Sequence, residues 1–162
     1  MEGLLKSVYQ KKRLTLALRI VSHTASVLCA LLFFLTLIRS ALLSPLSALW
    51  YALIIGSGYV TVSIARRLIN LPRPYEIYDF YSSPPKDRVG LSFPSRHTFL
   101  VFAVATGSFP LFPIASAVLL LFGILLAISR VLLGIHFIRD VIAGALLGAV
   151  SSLIGLLILS PF

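Results

Sequence analysis

The sequence predicts an all-α integral membrane protein, a bundle of about five transmembrane helices with an active site at one membrane face. Three observations carry that expectation. Of the 162 residues, 59% are hydrophobic and 12% charged, against roughly 45–50% apolar and about 25% charged in soluble domains. The mean hydropathy is correspondingly high, +1.02, and the apolar residues are gathered into runs near the roughly 20 residues that a hydrocarbon core about 30 Å thick requires. Apart from Arg19 and His23 within the first run, the ionisable residues stand at or near the ends of those runs, where they cost least. Disorder, collagen-like repeats and a disulfide scaffold are excluded, because Cys29 is the single cysteine and the chain has only 10 Gly and 9 Pro.

The first run, Leu14 to Ile38, is entered by Lys6, Lys11, Lys12 and Arg13 and closed by Arg39. It is too long for the h-region of a signal peptide, about 7–15 residues, and no A-x-A-like site precedes Arg39, so this helix is expected to stay attached. Ser44-Pro45 opens the second run, Leu46 to Ala65, which Arg66-Arg67 closes. The third, His97 to Phe109, is short, rising only about 20 Å as a helix. It therefore starts a turn earlier, at Pro94 or Ser95, or enters the membrane at a thinned, protein-lined site. Pro110 to Pro113 makes its exit turn. The fourth runs from Ile114 to about Leu133 and the fifth from Phe137 to Leu159, with Gly134, Ile135 and His136 at their junction. A single domain, residues 1–162, accommodates all of this.

Residues 70–96 form the one long polar segment, with five prolines, three of the five acids and an aromatic cluster of Tyr75, Tyr78, Phe80 and Tyr81. Aromatics beside charge suit the headgroup zone. For Glu76, Asp79, Lys86, Asp87 and Arg88 the expectation is a solvated loop.

Helix parity then does something the composition alone does not. Arg66 and Arg73 follow the second helix, Ser95, Arg96 and His97 begin the third, Ser129 and Arg130 end the fourth, and His136 and Asp140 begin the fifth. Alternating helices put all four ends on one membrane face. Arg66, Arg73 and Arg130 come from separate segments, and planar guanidinium forks suit a phosphate or another tetrahedral oxyanion. His136 and Asp140 are four apart, so on a helix they share a face and the carboxylate can fix the imidazole tautomer, a nucleophile-and-orienter pair. Pro94-Ser95 reads as a helix start whose unpaired N–H groups attract an anion, and His97 beside it supplies a general acid. Gly144, Gly148 and Ser152 continue the stripe of His136 and Asp140 as a smooth packing edge. Arg19, Ser22, His23, Thr24 and Ser26 are either interhelical hydrogen-bonding groups or the lining of a substrate groove.

These residues resemble the three-part signature of the type 2 phosphatidic acid phosphatase family, membrane relatives of vanadium haloperoxidases and bacterial acid phosphatases. The signature reads Lys, six residues, Arg-Pro; Pro-Ser-Gly-His; and Ser-Arg, five residues, His, three residues, Asp. Here it stands as Arg66, six residues, Arg73-Pro74; Pro94-Ser95-Arg96-His97; and Ser129-Arg130, five residues, His136, three residues, Asp140. The match covers residues 66–140. The resemblance implies that His136 attacks phosphorus and carries a phosphohistidine, that Asp140 orients it, and that His97 protonates the leaving oxygen and then activates water. It implies that Arg66, Arg73, Ser95 and Arg130 bind phosphate oxygens, with no metal and no cofactor. Two positions depart from the pattern. Arg66 replaces Lys, with Arg67 alongside as a possible substitute, and Arg96 replaces Gly, where it either adds a phosphate contact or points outward.

The function expected on this basis is metal-independent hydrolysis of a terminal lipid phosphate, on phosphatidate, phosphatidylglycerophosphate, a polyprenyl diphosphate or lipid A. A catalytically silent member that binds anionic lipid or assembles with other membrane proteins is the alternative; an anion channel would want polar residues through the membrane. The expected partners are the bilayer and the lipid phosphate, with no nucleic acid, and the oligomeric state stays open. Size suggests a prokaryotic plasma membrane. Five spans put the basic N-terminus on the site's own face, which positive-inside counting places in the cytoplasm, whereas the family's site commonly faces outward.

Overall fold

The computed structural model describes residues 1–78 and 89–159, and among them every regular element is a helix. The elements are α1 (Glu2–Gln10), α2 (Lys12–Leu43), α3 (Pro45–Ile69), α4 (Pro74–Ile77), α5 (Arg96–Ser108), α6 (Pro113–Leu132) and α7 (Ile138–Leu159). Four of them, α2, α3, α6 and α7, are long and apolar enough to cross a membrane. Their outward faces carry exposed leucine, isoleucine and phenylalanine along the whole length, Phe34, Leu53, Leu121 and Leu157 among them. Such a surface belongs in lipid.

Of the two expectations for the fifth helix of the bundle, α5, an earlier start and a protein-lined site, the first does not hold and the surroundings are those of the second. The helix keeps 13 residues because it is interior: α2, α3, α6 and α7 all pack on it, and Phe99, Val101, Ala103, Val104 and Ala105 are buried. Its far end is met by protein. Ser108 accepts a hydrogen bond from Thr36 Oγ1 at 2.8 Å and lies 2.9 Å from the Tyr51 hydroxyl, so polar groups deep in the bundle satisfy each other. Pro113 opens α6 at its first turn, where its missing N–H costs nothing.

The closest packing is between α5 and α7. A Cβ added at Gly144 would strike the carbonyl oxygen of Ser95, and one at Gly148 that of Phe99. Ser152 completes the stripe by donating to the carbonyl of Ala103 at 2.8 Å. The small-residue edge read from the sequence is this contact, and it holds the start of α7 against the start of α5.

Two features differ from the sequence reading. The basic N-terminal segment forms a helix of its own, α1, which buries Leu5 against Tyr75 with Tyr9 and Tyr78 alongside, and buries Val8 as well. Tyr75 is therefore 7% exposed, not a headgroup anchor, and the N-terminus lies at the same end of the bundle as residues 74–78, as parity requires. Also, α2 runs on past Arg39 to Leu43 and turns into α3 through Ser44 alone. Asp79, Phe80, Tyr81, Lys86, Asp87 and Arg88 lie outside the described residues.

Candidate active site

The site assembles at the end of the bundle where α3 and α6 finish and α5 and α7 begin. Its centre is made by the junction of α6 and α7. Gly134 adopts φ +63° just past the end of α6, the left-handed conformation that favours glycine. The N–H of Gly134 bonds the carbonyl of Val131 at 2.9 Å and that of Ile135 the carbonyl of Arg130 at 3.0 Å, a Schellman arrangement. The next N–H, that of His136, also reaches the Arg130 carbonyl, at 3.2 Å. The five-residue spacing between Arg130 and His136 thus has a backbone cause: one C-terminal cap folds the imidazole back beside the arginine that ends α6.

Asp140 is fully buried and sits in the first turn of α7, where a carboxylate complements the helix dipole. Its Oδ2 accepts the N–H of Phe137 at 2.9 Å, half of a capping box, and also the hydroxyl of Ser92. His136 Nδ1 lies 3.6 Å from the same oxygen, and Arg139 Nε 3.6 Å from Oδ1. His136 itself is 2% exposed. Burial holds its pKa below the usual histidine value, with Arg73 and Arg66 acting in the same direction and Asp140 opposing. The imidazole is therefore neutral at neutral pH, the state a nucleophile needs.

The arginines arrive from two sides. Arg66, in the last turn of α3, is buried while Arg67 beside it is exposed, so Arg66 is the one turned inward. Its Nη1 donates to the Pro94 carbonyl at 3.0 Å and its Nη2 to the Leu91 carbonyl. A guanidinium carries five N–H donors in a fixed fork, so it can hold this loop from one side and face the site with the rest. Arg73, also buried, donates from Nε to the Gly90 carbonyl at 2.9 Å and lies over the Tyr75 ring at 5.7 Å. Arg130 is half-buried at the end of α6.

The loop that these arginines hold is also bonded by Glu76, expected to lie in a solvated loop, and by Asn70, both of them exposed. Glu76 Oε1 accepts the N–H of Arg73 at 3.2 Å and of Gly90 at 2.8 Å, and Asn70, itself left-handed at φ 43°, accepts the N–H of Leu91 at 3.3 Å. Ser92 was likewise missed. Nothing in its sequence position marks it except its nearness to Pro94-Ser95, yet it is fully buried against the carboxylate of Asp140.

Ser95 precedes α5 and is fully buried. Its N–H donates to the Asp140 backbone carbonyl at 2.9 Å, and its Oγ accepts from Thr98 at 2.9 Å. His97 stands in the first turn of α5, exposed at the mouth, within electrostatic reach of Arg130, His136, Arg96 and Arg66. Arg96 is exposed and lies over the Tyr59 ring at 5.8 Å. All eight residues singled out from the sequence, His97, His136, Asp140, Arg66, Arg73, Ser95, Arg96 and Arg130, thus collect at one end of the bundle. No group of three or more metal-ligating side chains occurs among the described residues.

The comparisons with known proteins agree with this architecture. The chain is similar in structure to LpxE of Aquifex aeolicus, at 23% identity and a TM-score of 0.70, over 95% of this chain and 93% of that one. It is similar also to a transmembrane PAP2 type phosphatidylglycerolphosphate phosphatase from Bacillus subtilis, at 21% identity and a TM-score of 0.73, over 95% and 81%. These likenesses establish the fold. No curated protein matches the sequence. Residues 47–161 match the sequence pattern of the PAP2 superfamily, more than half of the chain and all three of the motifs, those at Arg66 and Arg73, at His97, and from Arg130 through His136 to Asp140, and the protein is accordingly an integral membrane member of the PAP2 superfamily.

Proposed function

We propose that this protein hydrolyses the terminal phosphate of a membrane lipid through a phosphohistidine. The coarse part of that reading, a membrane-embedded lipid phosphatase, is supported by the family match together with the two phosphatase-like neighbours. The observation that supports the finer part is the neutral, buried imidazole of His136 beside the anchored carboxylate of Asp140, with Arg73 and Arg66 in electrostatic reach of the imidazole and the His136 backbone N–H held on the Arg130 carbonyl.

The steps follow from those roles. His136 attacks phosphorus, the bond from phosphorus to the lipid oxygen breaks, and His97, which takes up its proton beside the bound phosphate dianion, delivers it to the departing alkoxide. His97 then takes a proton from water, whose oxygen attacks the phosphohistidine and releases inorganic phosphate and free His136. Arg66, Arg73, Arg130 and Ser95 hold the equatorial oxygens, where charge accumulates, and so do the neutralisation that metal ions perform elsewhere.

Phosphatidate, phosphatidylglycerophosphate, a polyprenyl diphosphate and a lipid A phosphate all present a phosphate at the interface with the tail in the bilayer. The site's face is proposed as cytoplasmic, since α1 with its lysines lies at the site's own end; a cysteine at Lys12, after removal of Cys29, should stay unlabelled by an impermeant thiol reagent in intact cells.

The deciding experiment is phosphate release by the detergent-purified protein and its His136→Ala variant over those four lipids, with EDTA present. Release that vanishes in the variant and survives EDTA supports the reading. Release that persists in His136→Ala removes it as nucleophile, strict metal dependence overturns the metal-free route, and no release from any lipid favours a silent lipid-binding member.

A further inference from the structure

A groove of about 330 Å³ runs between α2, α3 and α5, lined by Cys29, Phe33, Ile55, Gly56, Tyr59 and Leu100 among others. Its volume falls in the range of small-molecule sites, about 300–1,000 Å³. Its position relative to the active site follows from helical periodicity. On α5, His97, Leu100 and Val104 are spaced i, i+3, i+7 and share one face; the last two line the groove, whose α5 wall therefore begins about one turn below His97 and descends about 6 Å. On α3 its upper wall is Tyr59, the ring over which Arg96 lies at 5.8 Å. On α2 the lining residues Ser26 and Phe33 continue a seven-residue stripe that begins at Arg19, and Ala30 lies on the stripe of His23. The groove is thus apolar at membrane depth and cationic at its upper end.

Gly56 supplies an independent observation. Glycines in membrane helices normally let backbones meet, as Gly144 and Gly148 do. At Gly56 a Cβ would meet nothing within 4 Å. This glycine brings no helix closer; it keeps the groove open.

We propose that this groove is the subsite for one hydrocarbon chain of the substrate lipid, with Gly56 as the residue that admits the chain and Arg96 on Tyr59 as the post at its mouth. The proposal rests on the lipid phosphatase reading of the site. A lipid phosphate is the occupant that fits, because its charge and its chain are joined in the order in which His97, Arg96 and the apolar wall are stacked. Lipid tails are as apolar as the groove, so seating a chain there gains little from transfer; what it supplies is orientation of the phosphate, which is where rate is gained.

The test uses the full chain in vesicles and a diacyl phosphatidate carrying a diazirine midway along one chain. Photolabel is expected on the groove walls, Phe33 and Leu100 foremost, in the wild type and in Gly56→Ala, and to be lost from them in Gly56→Leu. A phosphatidylcholine with the same diazirine chain should leave those walls unlabelled. Label spread over the outer faces of α6 and α7, label unchanged in Gly56→Leu, or equal label from phosphatidylcholine would overturn the proposal. In turnover, the ratio of kcat/KM for a 16-carbon phosphatidate to that for p-nitrophenyl phosphate should fall about tenfold in Gly56→Leu, and an unchanged ratio would count against it. If wild-type protein releases no phosphate from any lipid, the phosphatase reading fails while the label map still decides the groove.

Discussion

His136 Nδ1 and Asp140 Oδ2 stand 3.6 Å apart, beyond the roughly 2.7–3.2 Å of a hydrogen bond. The carboxylate is not the movable member, since Phe137 and Ser92 both hold the same oxygen. The imidazole therefore closes the gap, and catalytic hydrogen bonds of this kind commonly tighten only when substrate is present. Asp140→Asn should keep the fold and still lower kcat about 10²-fold or more, because an amide can hold the wrong tautomer. A phosphate-release assay in which KM rose and kcat did not would assign Asp140 to binding instead.

The same pair fixes a pH dependence. Burial lowers the His136 pKa and the Asp140 charge opposes that lowering. The reactive neutral form is lost as pH falls through the lowered value, so the acid limb of kcat/KM should lie below the ordinary histidine value of about 6.5. Removing the carboxylate charge in Asp140→Asn should move the limb to lower pH still. Because both proteins act on one substrate, the substrate's own ionisation cancels in the comparison; a limb that moved upward would contradict the assignment.

Ser92 is fully buried, and its hydroxyl donates to the carboxylate of Asp140. Hydrogen bonds to charged groups contribute about 1.5–3 kcal/mol, so Ser92→Ala should reduce kcat about tenfold or more while Ser92→Thr, which keeps the hydroxyl, restores part of it. Equal activity in Ser92→Ala and wild type would show that Phe137 alone positions Asp140.

The contrast between His136 and Ser92 shows how much of this site was legible in the sequence. Helix ends, parity and the spacing of Arg130, His136 and Asp140 all follow from local periodicity, and the residues tied to helix termini do gather at one end of the bundle. Ser92, Glu76 and Asn70 act through loop contacts across 10 to 50 positions, which no periodicity encodes. The shortness of α5 left two readings open, an earlier start or a protein-lined site, because length alone does not name neighbours; the four helices around it decide for the second. The segment of α1 was read by charge alone, and its buried Leu5 only acquires meaning once Tyr75 is folded against it.

Arg66 differs from the lysine usual at its position, and its two carbonyl bonds give the difference a structural role. Lysine retains the charge as a point and cannot span both carbonyls as the planar fork does. Arg66→Lys should therefore lower thermal stability, since a buried carbonyl left unpaired costs about 1–3 kcal/mol, and should lower kcat/KM along with it. A melt indistinguishable from wild type would mean the loop at residues 91–94 is held by its other bonds.

Leu5 is 1% exposed and packs on Tyr75, over whose ring Arg73 lies. Leu5→Ala removes that support, at the roughly 2–5 kcal/mol typical of a buried leucine. Because Arg73 is expected to hold phosphate, KM should rise more than kcat falls. A fall in kcat alone would place the effect at His136 instead.

Gly144 and Gly56 offer a paired test of the bundle itself. Alanine is the better helix former by about 1 kcal/mol, and at Gly56 nothing within 4 Å opposes it, so Gly56→Ala should leave the thermal midpoint level or raise it. At Gly144 the added Cβ would press on the Ser95 carbonyl and lie 3.2 Å from the Phe99 nitrogen. Both are helix backbone and cannot swing aside, so overpacking of about 1–3 kcal/mol outweighs the propensity gain. The displacement would fall on Ser95, whose N–H is bonded to the Asp140 carbonyl at 2.9 Å, so Gly144→Ala should lose activity in step with stability. Thermal melts and phosphate release measured on the two variants together check this, and a Gly144→Ala protein as stable as Gly56→Ala would show that α5 and α7 are not locked at this contact.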